Sequence, residues 1–384
     1  MNIPFHRPNV PSDFNLIFPN SIHDGWLTTG AQVKFFEEIL SKYLDAKYVV
    51  GVNSCTAALH LALEANGYGK GDKFIAPALT FVSTIECGEY TSMEPVLVDS
   101  AEDGFLFDLN QVEDIVKKDN SVKVIIPVHY GGEAVEIEFL WDLADRYGLF
   151  ILEDAAHALE AKSNNIKIGN TNYAAAFSFY ANKNITTAGE GGALSTNNKQ
   201  FAQKVKKLSL HGITKDGWNR FKNNGKWEYD ITALGYKYNL TDSAAAFGIW
   251  QMQYVNEWQK RRKELVAQYH EELKGIGGIL LPNICDGHAR HLYTIQLLNE
   301  KWSITRNQFI EEMSKREVGL AVHYKPIHML SYYMQQYGFT QNNFPRVNSL
   351  YNSILTLPLY PLLKDIDLEY ITSNIHDLYT KYAK

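Results

Sequence analysis

The chain has 384 residues, more than a single hydrophobic core ordinarily organises, so two domains are expected. Hydrophobic residues make up 45% and charged residues 21%, the balance of a globular protein and not of a disordered or fibrous one. A formal net charge of −6 gives no overall attraction to nucleic acid or to an anionic membrane, so any site for an anionic ligand must be local.

After a polar arm, residues 31–44 place Val33, Phe36, Ile39 and Leu40 on one stripe at helical spacing. Lys47–Asn53 is a strand-like run, followed by Thr56–Ala65, rich in helix formers. Short apolar runs recur at Phe74–Pro77, Pro95–Asp99, Val124–His129 and Leu149–Asp154, with a helical stretch at 136–147 between the last two. Ala174–Tyr180 and Gly192–Thr196 are two further strand candidates. Buried strand, helix, buried strand is the signature of α/β architecture, a mostly parallel central sheet flanked by helices. From about residue 242 the pattern changes to a long helical stretch, 243–274, and then to mixed elements such as His291–Leu297 and 305–316. This predicts a large domain over 1–250, including the N-terminal arm, and a smaller α+β domain over 251–384.

The three cysteines, Cys55, Cys87 and Cys285, show no CxxC spacing and cannot all pair within one chain. That points to a reducing compartment and against a cysteine zinc site; no metal is expected. The first residues lack the basic and apolar regions of a signal peptide, and no stretch approaches the roughly 20 apolar residues of a membrane span. A cytoplasmic protein is the expectation.

In sheets of this kind ligands bind beyond the carboxyl ends of the strands, and four segments fall there. In Asn53-Ser54-Cys55-Thr56-Ala57, small and hydroxyl residues open a helix whose N-terminus offers N–H groups to a phosphate; Ser54 or Thr56 also reads as a plain helix cap. Glu153-Asp154-Ala155-Ala156-His157 follows an apolar run, so Asp154 emerges at the sheet edge, able to hold a cation or to cap a helix. In Phe177–Gly192 a strand ends, Lys183 follows, and a hydroxyl- and glycine-rich loop leads to the next strand. A partly desolvated lysine there is nucleophilic toward an aldehyde, whereas a solvated one is only a surface charge. The fourth, Leu234–Asp242, contains Lys237 and Asn239 and ends in Thr241 and Asp242, which also suit a helix cap.

Together and in this order, these segments resemble the sugar-nucleotide aminotransferase family, the DegT–StrS group of fold-type-I pyridoxal-phosphate enzymes. The resemblance runs from Trp26-Leu27-Thr28-Thr29-Gly30 into the C-terminal domain, and its most specific element is Ser-Phe-Tyr…Asn-Lys…Thr-Thr…Gly-Glu-Gly-Gly. It implies an aspartate-aminotransferase-like fold and pyridoxal 5'-phosphate as cofactor. By position, Lys183 would condense with the cofactor aldehyde and serve as the catalytic residue. Asp154 would pair with the ring nitrogen, His157 would lie near the phenolic oxygen, and Phe81 would stack on the ring. Ser54, Cys55, Thr56 and Ser178 would hold the phosphate, and Asn239 would reach the phosphate in a neighbouring subunit, which implies a homodimer with shared sites. One position departs from the family pattern: Cys55 stands where the phosphate turn usually has glycine.

The resemblance further implies L-glutamate as donor and a nucleotide-linked keto-sugar as acceptor, for aminosugars of cell-surface polysaccharide. Thr29, Arg220, Lys222, Lys237 and His323 are the candidates for the outer, substrate-binding cleft. The Asn182–Thr187 loop is similar to members acting at C4, which points to a UDP- or dTDP-linked 4-keto-6-deoxy hexose. The alternatives are amination at C3, a pyridoxal-phosphate dehydratase on a related sugar, and a catalytically silent regulatory protein of the same fold. Retention of Lys183 opposes the last two, because dehydratases of the family carry histidine there and a silent relative has no chemical need for lysine.

Overall fold

A computed structural model describes residues 2–13, 17, 20–23, 25–213 and 229–384. Among the described residues there are twelve strands: β1 Tyr48–Val52, β2 Lys73–Pro77, β3 Glu94–Val98, β4 Val122–Ile125, β5 Phe150–Asp154, β6 Lys162–Ser163, β7 Ile166–Lys167, β8 Ala174–Ser178, β9 Gly192–Thr196, β10 Ile279–Leu280, β11 Tyr293–Leu297 and β12 Ile354–Leu357. Seven of them form one sheet in the order β1-β9-β8-β5-β4-β2-β3. Only β9 runs against its neighbours; β8, β5, β4, β2 and β3 pair in parallel. The mostly parallel sheet expected from the alternation is therefore present, and the carboxyl ends of β1, β2, β4, β5 and β8 share one edge.

The helix Cys55–Asn66 (CTAALHLALEAN) is buried along most of its length because it is covered on several sides. Its small residues let it lie close over β8 and β9 and beside the helices Ser83–Tyr90 and Lys199–Leu208. The Ser54 side chain caps it by accepting the Ala57 N–H at 3.1 Å, and Gly67, at φ +77°, ends it. β8 (AAAFS) accommodates that close approach because four of its five residues are buried and three are alanine.

Two details differ from the sequence pattern. The apolar run Val124–His129 leaves the sheet at Ile125, since Pro127 has no N–H for a ladder bond; Val128 keeps only an isolated bridge to Asp154. A hairpin, β6–β7, lies in a stretch the periodicity passes over. Its turn, Asn164-Asn165, has positive φ at both residues (43° and 70°), as a two-residue hairpin turn favours.

β10, β11 and β12 form a second, antiparallel sheet that packs with the helices Arg306–Lys315 and Asp365–Tyr382 in a separate core. The helix Asp242–Leu273 enters both cores. Ala245, Met252 and Val255 pack with the helix Ala31–Leu44, and Leu265, Val266, Tyr269 and Leu273 pack with the small sheet. A rigid helix needs no glycine- or proline-rich linker, so we propose that it joins the two domains, with residue 250 inside it. The arm's Ile3 pairs with Val318 and sits in the C-terminal core, so the start of the chain lies with the small sheet. No helix among the described residues is long and apolar enough to cross a membrane.

Candidate active site

The shared strand edge opens into a cavity of about 450 Å³. Each strand that ends there delivers a side chain. β1 leads into Ser54, Cys55 and Thr56 at the start of the helix Cys55–Asn66, β5 ends at Asp154 with His157 one turn on, and β8 ends at Ser178 with Lys183 following. Phe81 comes from the loop after β2 and His323 from the C-terminal part of the chain. These nine sequence candidates line one space. The loop after Lys183 can lie against the Ser54–Cys55 turn because a Cβ at Gly192 would sit 2.5 Å from the Ser54 carbonyl carbon.

Burial sets the electrostatics. It lowers the Lys183 amine from 10.5 to about 8, against the opposing pull of Cys55 and Asp154. The same burial raises Asp154, offset in part by Thr84, by the Ala156 N–H and by the Lys183 charge. Thr84 Oγ1 donates to Asp154 Oδ2 at 2.7 Å, and Ala156 N donates to Oδ1 at 3.2 Å. Burial also keeps His157 neutral, and its tautomer follows from its partners: Gly131 N donates to Nδ1 at 3.2 Å, so the proton sits on Nε2 and faces the Tyr324 hydroxyl at 2.9 Å. His323 falls to about 4, chiefly through burial, so it can offer a hydrogen bond but no positive charge at neutral pH.

Cys55 fits where glycine was expected. It does not take the left-handed backbone that would call for glycine, and it starts the helix with its thiol buried 3.4 Å from the Ala176 carbonyl oxygen. Asn239, Thr29 and Lys237 are not in this cavity. Asn239 Nδ2 donates to Thr29 Oγ1 at 2.7 Å, Lys237 Nζ donates to Asn239 Oδ1, and Thr29 Oγ1 donates to the Leu240 carbonyl at 2.5 Å. They form a cluster of their own, joining segments 210 residues apart. Arg220 and Lys222 lie outside the described residues.

Sequence reasoning missed Thr84 and Tyr324. Thr84 stands two residues beyond Val82 and looks like ordinary helix-start sequence; Tyr324 follows His323 within the segment Ala-Val-His-Tyr-Lys-Pro, where the histidine drew the attention. Only the contacts across 70 and 167 residues give them away.

The arrangement fits pyridoxal phosphate at three points. An amine, a buried carboxylate with no cationic partner at ion-pair distance among the described residues, and a helix N-terminus flanked by hydroxyls line one cavity. Phe81, with 55% of its surface exposed, supplies an apolar face at the mouth.

Comparison with known proteins gives a consistent picture. The model of the DegT/DnrJ/EryC1/StrS aminotransferase family matches residues 12–376. The spore coat polysaccharide biosynthesis protein SpsC of Bacillus subtilis is 38% identical, over 98% of this chain and 97% of its own. Spr1654 from Streptococcus pneumoniae, provisionally assigned as a sugar aminotransferase and solved in PMP- and PLP-forms, superimposes in its PMP-form with a TM-score of 0.89 at 31% identity, covering 99% of this chain and 100% of that one. Helicobacter pylori PseC, an aminotransferase involved in the biosynthesis of pseudoaminic acid, superimposes with a TM-score of 0.90 at 26% identity, again over 99% of this chain and 100% of its own.

Proposed function

The chain belongs to the DegT/DnrJ/EryC1/StrS aminotransferase family, and from that premise we propose that it transfers the amino group of L-glutamate to C4 of a UDP- or dTDP-linked 4-keto-6-deoxy hexose. It is a pyridoxal-phosphate-dependent aminotransferase. The observation that carries the reading is the convergence of Lys183, Asp154 and the Ser54–Thr56 helix start on one cavity.

When bound, pyridoxal phosphate supplies an electron sink for the carbanion left by removal of a proton from the amine-bearing carbon. The chain's residues do the rest. Asp154 would hold the ring nitrogen in its protonated form, and Ser54, Cys55, Thr56 and Ser178 would hold the phosphate with hydroxyl and N–H donors. His157 and Phe81 would help to position the ring. Lys183 would be the residue that holds the cofactor's aldehyde end and would move the proton as base and acid. Its amine is suited to this because burial brings it to about 8, where neutral and protonated forms exchange near physiological pH.

Sugar as the acceptor is supported by SpsC, named for spore coat polysaccharide biosynthesis, and by Spr1654, provisionally assigned as a sugar aminotransferase. The Asn182–Thr187 loop supports C4. In our reading Thr29, Lys237 and Asn239 serve the neighbouring subunit's site, which the separation of their cluster from the Lys183 cavity favours, and His323 faces the nucleotide sugar as a neutral donor. Incubation with glutamate and matched 3-keto and 4-keto nucleotide sugars, read by mass spectrometry, tests the reading. Amine from the 4-keto substrate and 2-oxoglutarate in equal amount are expected; turnover of the 3-keto sugar alone overturns C4.

A further inference from the structure

We propose that Thr84 is a positioning residue for Asp154, its hydroxyl fixing the carboxylate for the ring nitrogen of pyridoxal phosphate. The inference rests on the reading that Asp154 faces that nitrogen. Thr84 is fully buried on the helix Ser83–Tyr90, and its Oγ1 lies 2.7 Å from Asp154 Oδ2 and 2.7 Å from Thr80 Oγ1. A hydroxyl has one hydrogen, and an ionised carboxylate can only accept. Thr84 therefore donates to Asp154 and accepts from Thr80, whose own hydroxyl is buried and whose residue lines the cavity. The result is a directed chain, Thr80 to Thr84 to Asp154.

Among the described residues no other side chain offers Asp154 an equivalent bond. Oδ1 takes the Ala156 N–H at 3.2 Å, and the Cys55 thiol lies 4.0 Å from Oδ1 but 3.4 Å from the Ala176 carbonyl, which claims its hydrogen. Each carboxylate oxygen thus has one fixed donor, which restrains rotation about the Cα–Cβ and Cβ–Cγ bonds while leaving lone pairs toward the cavity. Helix capping does not account for Thr84: the cap residue of its helix is Val82, with no side-chain cap bond, and the threonine hydroxyl points to a residue 70 positions away. Donation from Thr84 also opposes the neutralising effect of burial on Asp154.

The test uses full-length protein stripped of cofactor and titrated with two probes. One is pyridoxal phosphate; the other is its benzene analogue, in which C–H replaces the ring nitrogen. Wild-type protein is expected to bind pyridoxal phosphate the more tightly, because only that probe engages Asp154. Thr84→Val keeps the shape and removes the hydroxyl, so its Kd for pyridoxal phosphate rises about 10- to 100-fold, the range for a hydrogen bond to a charged group, with little change for the analogue. Thr84→Ser restores the wild-type value. Should the valine variant fail to fold, Thr84→Ala, which removes the γ-methyl along with the same hydroxyl, shows the same split. Equal weakening of both probes, or no weakening of either, overturns the assignment to Thr84. If wild type does not distinguish the probes, the pairing of Asp154 with the ring nitrogen is what fails, and the role of Thr84 falls with it.

Discussion

Replacing Lys183 with methionine should inactivate the enzyme and stabilise the cofactor-free protein, in a way that depends on pH. The amine is lowered from 10.5 to about 8, chiefly by burial, so the folded state holds the lysine proton less well than the unfolded chain does. Fully realised, that difference corresponds to at most about 3 kcal/mol against the charged amine, and water in an open cleft reduces it to roughly 1–2 kcal/mol. The sign follows from proton counting. Below pH 8 both states carry the proton and the penalty is complete; between 8 and 10.5 the folded state has released it and the unfolded state has not, so wild-type stability rises with pH; above 10.5 the penalty is gone. Methionine has a similar length and no charge, so the variant's advantage is largest near pH 7 and shrinks as pH rises through 8 toward 10. Urea unfolding of both cofactor-free proteins at several pH values measures it. The new side chain adds a constant packing offset, so only the pH-dependent part is diagnostic. A stability difference that stays flat from pH 7 to 10 would refute the claim that Lys183 is desolvated.

Two further predictions concern regions outside the cavity. The buried Asp242 carboxylate accepts the N–H groups of Gly30, Gln32 and Val33 at 2.7, 3.2 and 2.9 Å, tying the start of the helix Ala31–Leu44 to its own helix. Asp242→Ala strands these donors and should cost about 2–4 kcal/mol in denaturant unfolding; a loss under about 1 kcal/mol would show that water replaces the carboxylate. If Asn239 serves the partner's site, Lys183→Ala and Asn239→Ala are each inactive alone but regain activity when unfolded and refolded together, since a hybrid dimer contains one intact site. Absence of recovery in a mixture shown by native mass spectrometry to contain hybrids rules out the shared arrangement.

The strands and the residues at their ends were legible because both follow local rules. A buried parallel strand is a short apolar run, and the residue after it meets the ligand edge, so Asp154, Ser178 and the Ser54–Thr56 turn could be placed from sequence. Lys183 was harder: nothing local separates a desolvated lysine from a solvated one, and only the family resemblance singled it out. The β6–β7 hairpin escaped because two-residue strands have no readable period, although Asn164-Asn165 carried a turn signal. Thr84 and Tyr324 escaped for a different reason. Each acts through one hydrogen bond to a residue far along the chain, and such a pairing leaves no trace in spacing or composition. Domain division was blurred by the helix Asp242–Leu273, whose two halves belong to different cores without a break in helical pattern.

Burial acts on the two ionisable ends of the cleft toward the same outcome, raising Asp154 and lowering Lys183, so each is pushed toward its neutral form. An ion pair between them would do the opposite, and their mutual attraction is indeed present, but it is outweighed by desolvation at both groups. Under the proposed assignment, a cationic ring nitrogen beside Asp154 would give that carboxylate a counter-charge, and attachment of the cofactor at Lys183 would remove the free amine from the balance. Both penalties would then fall together on binding, linking cofactor affinity and fold stability through the same two residues. Under the same assignment, the loss of solvent that makes the Lys183 amine a poor cation would also be what makes it a nucleophile and a proton carrier. A substitution that recovers the stability by removing that amine or returning it to water would give up the chemistry with it.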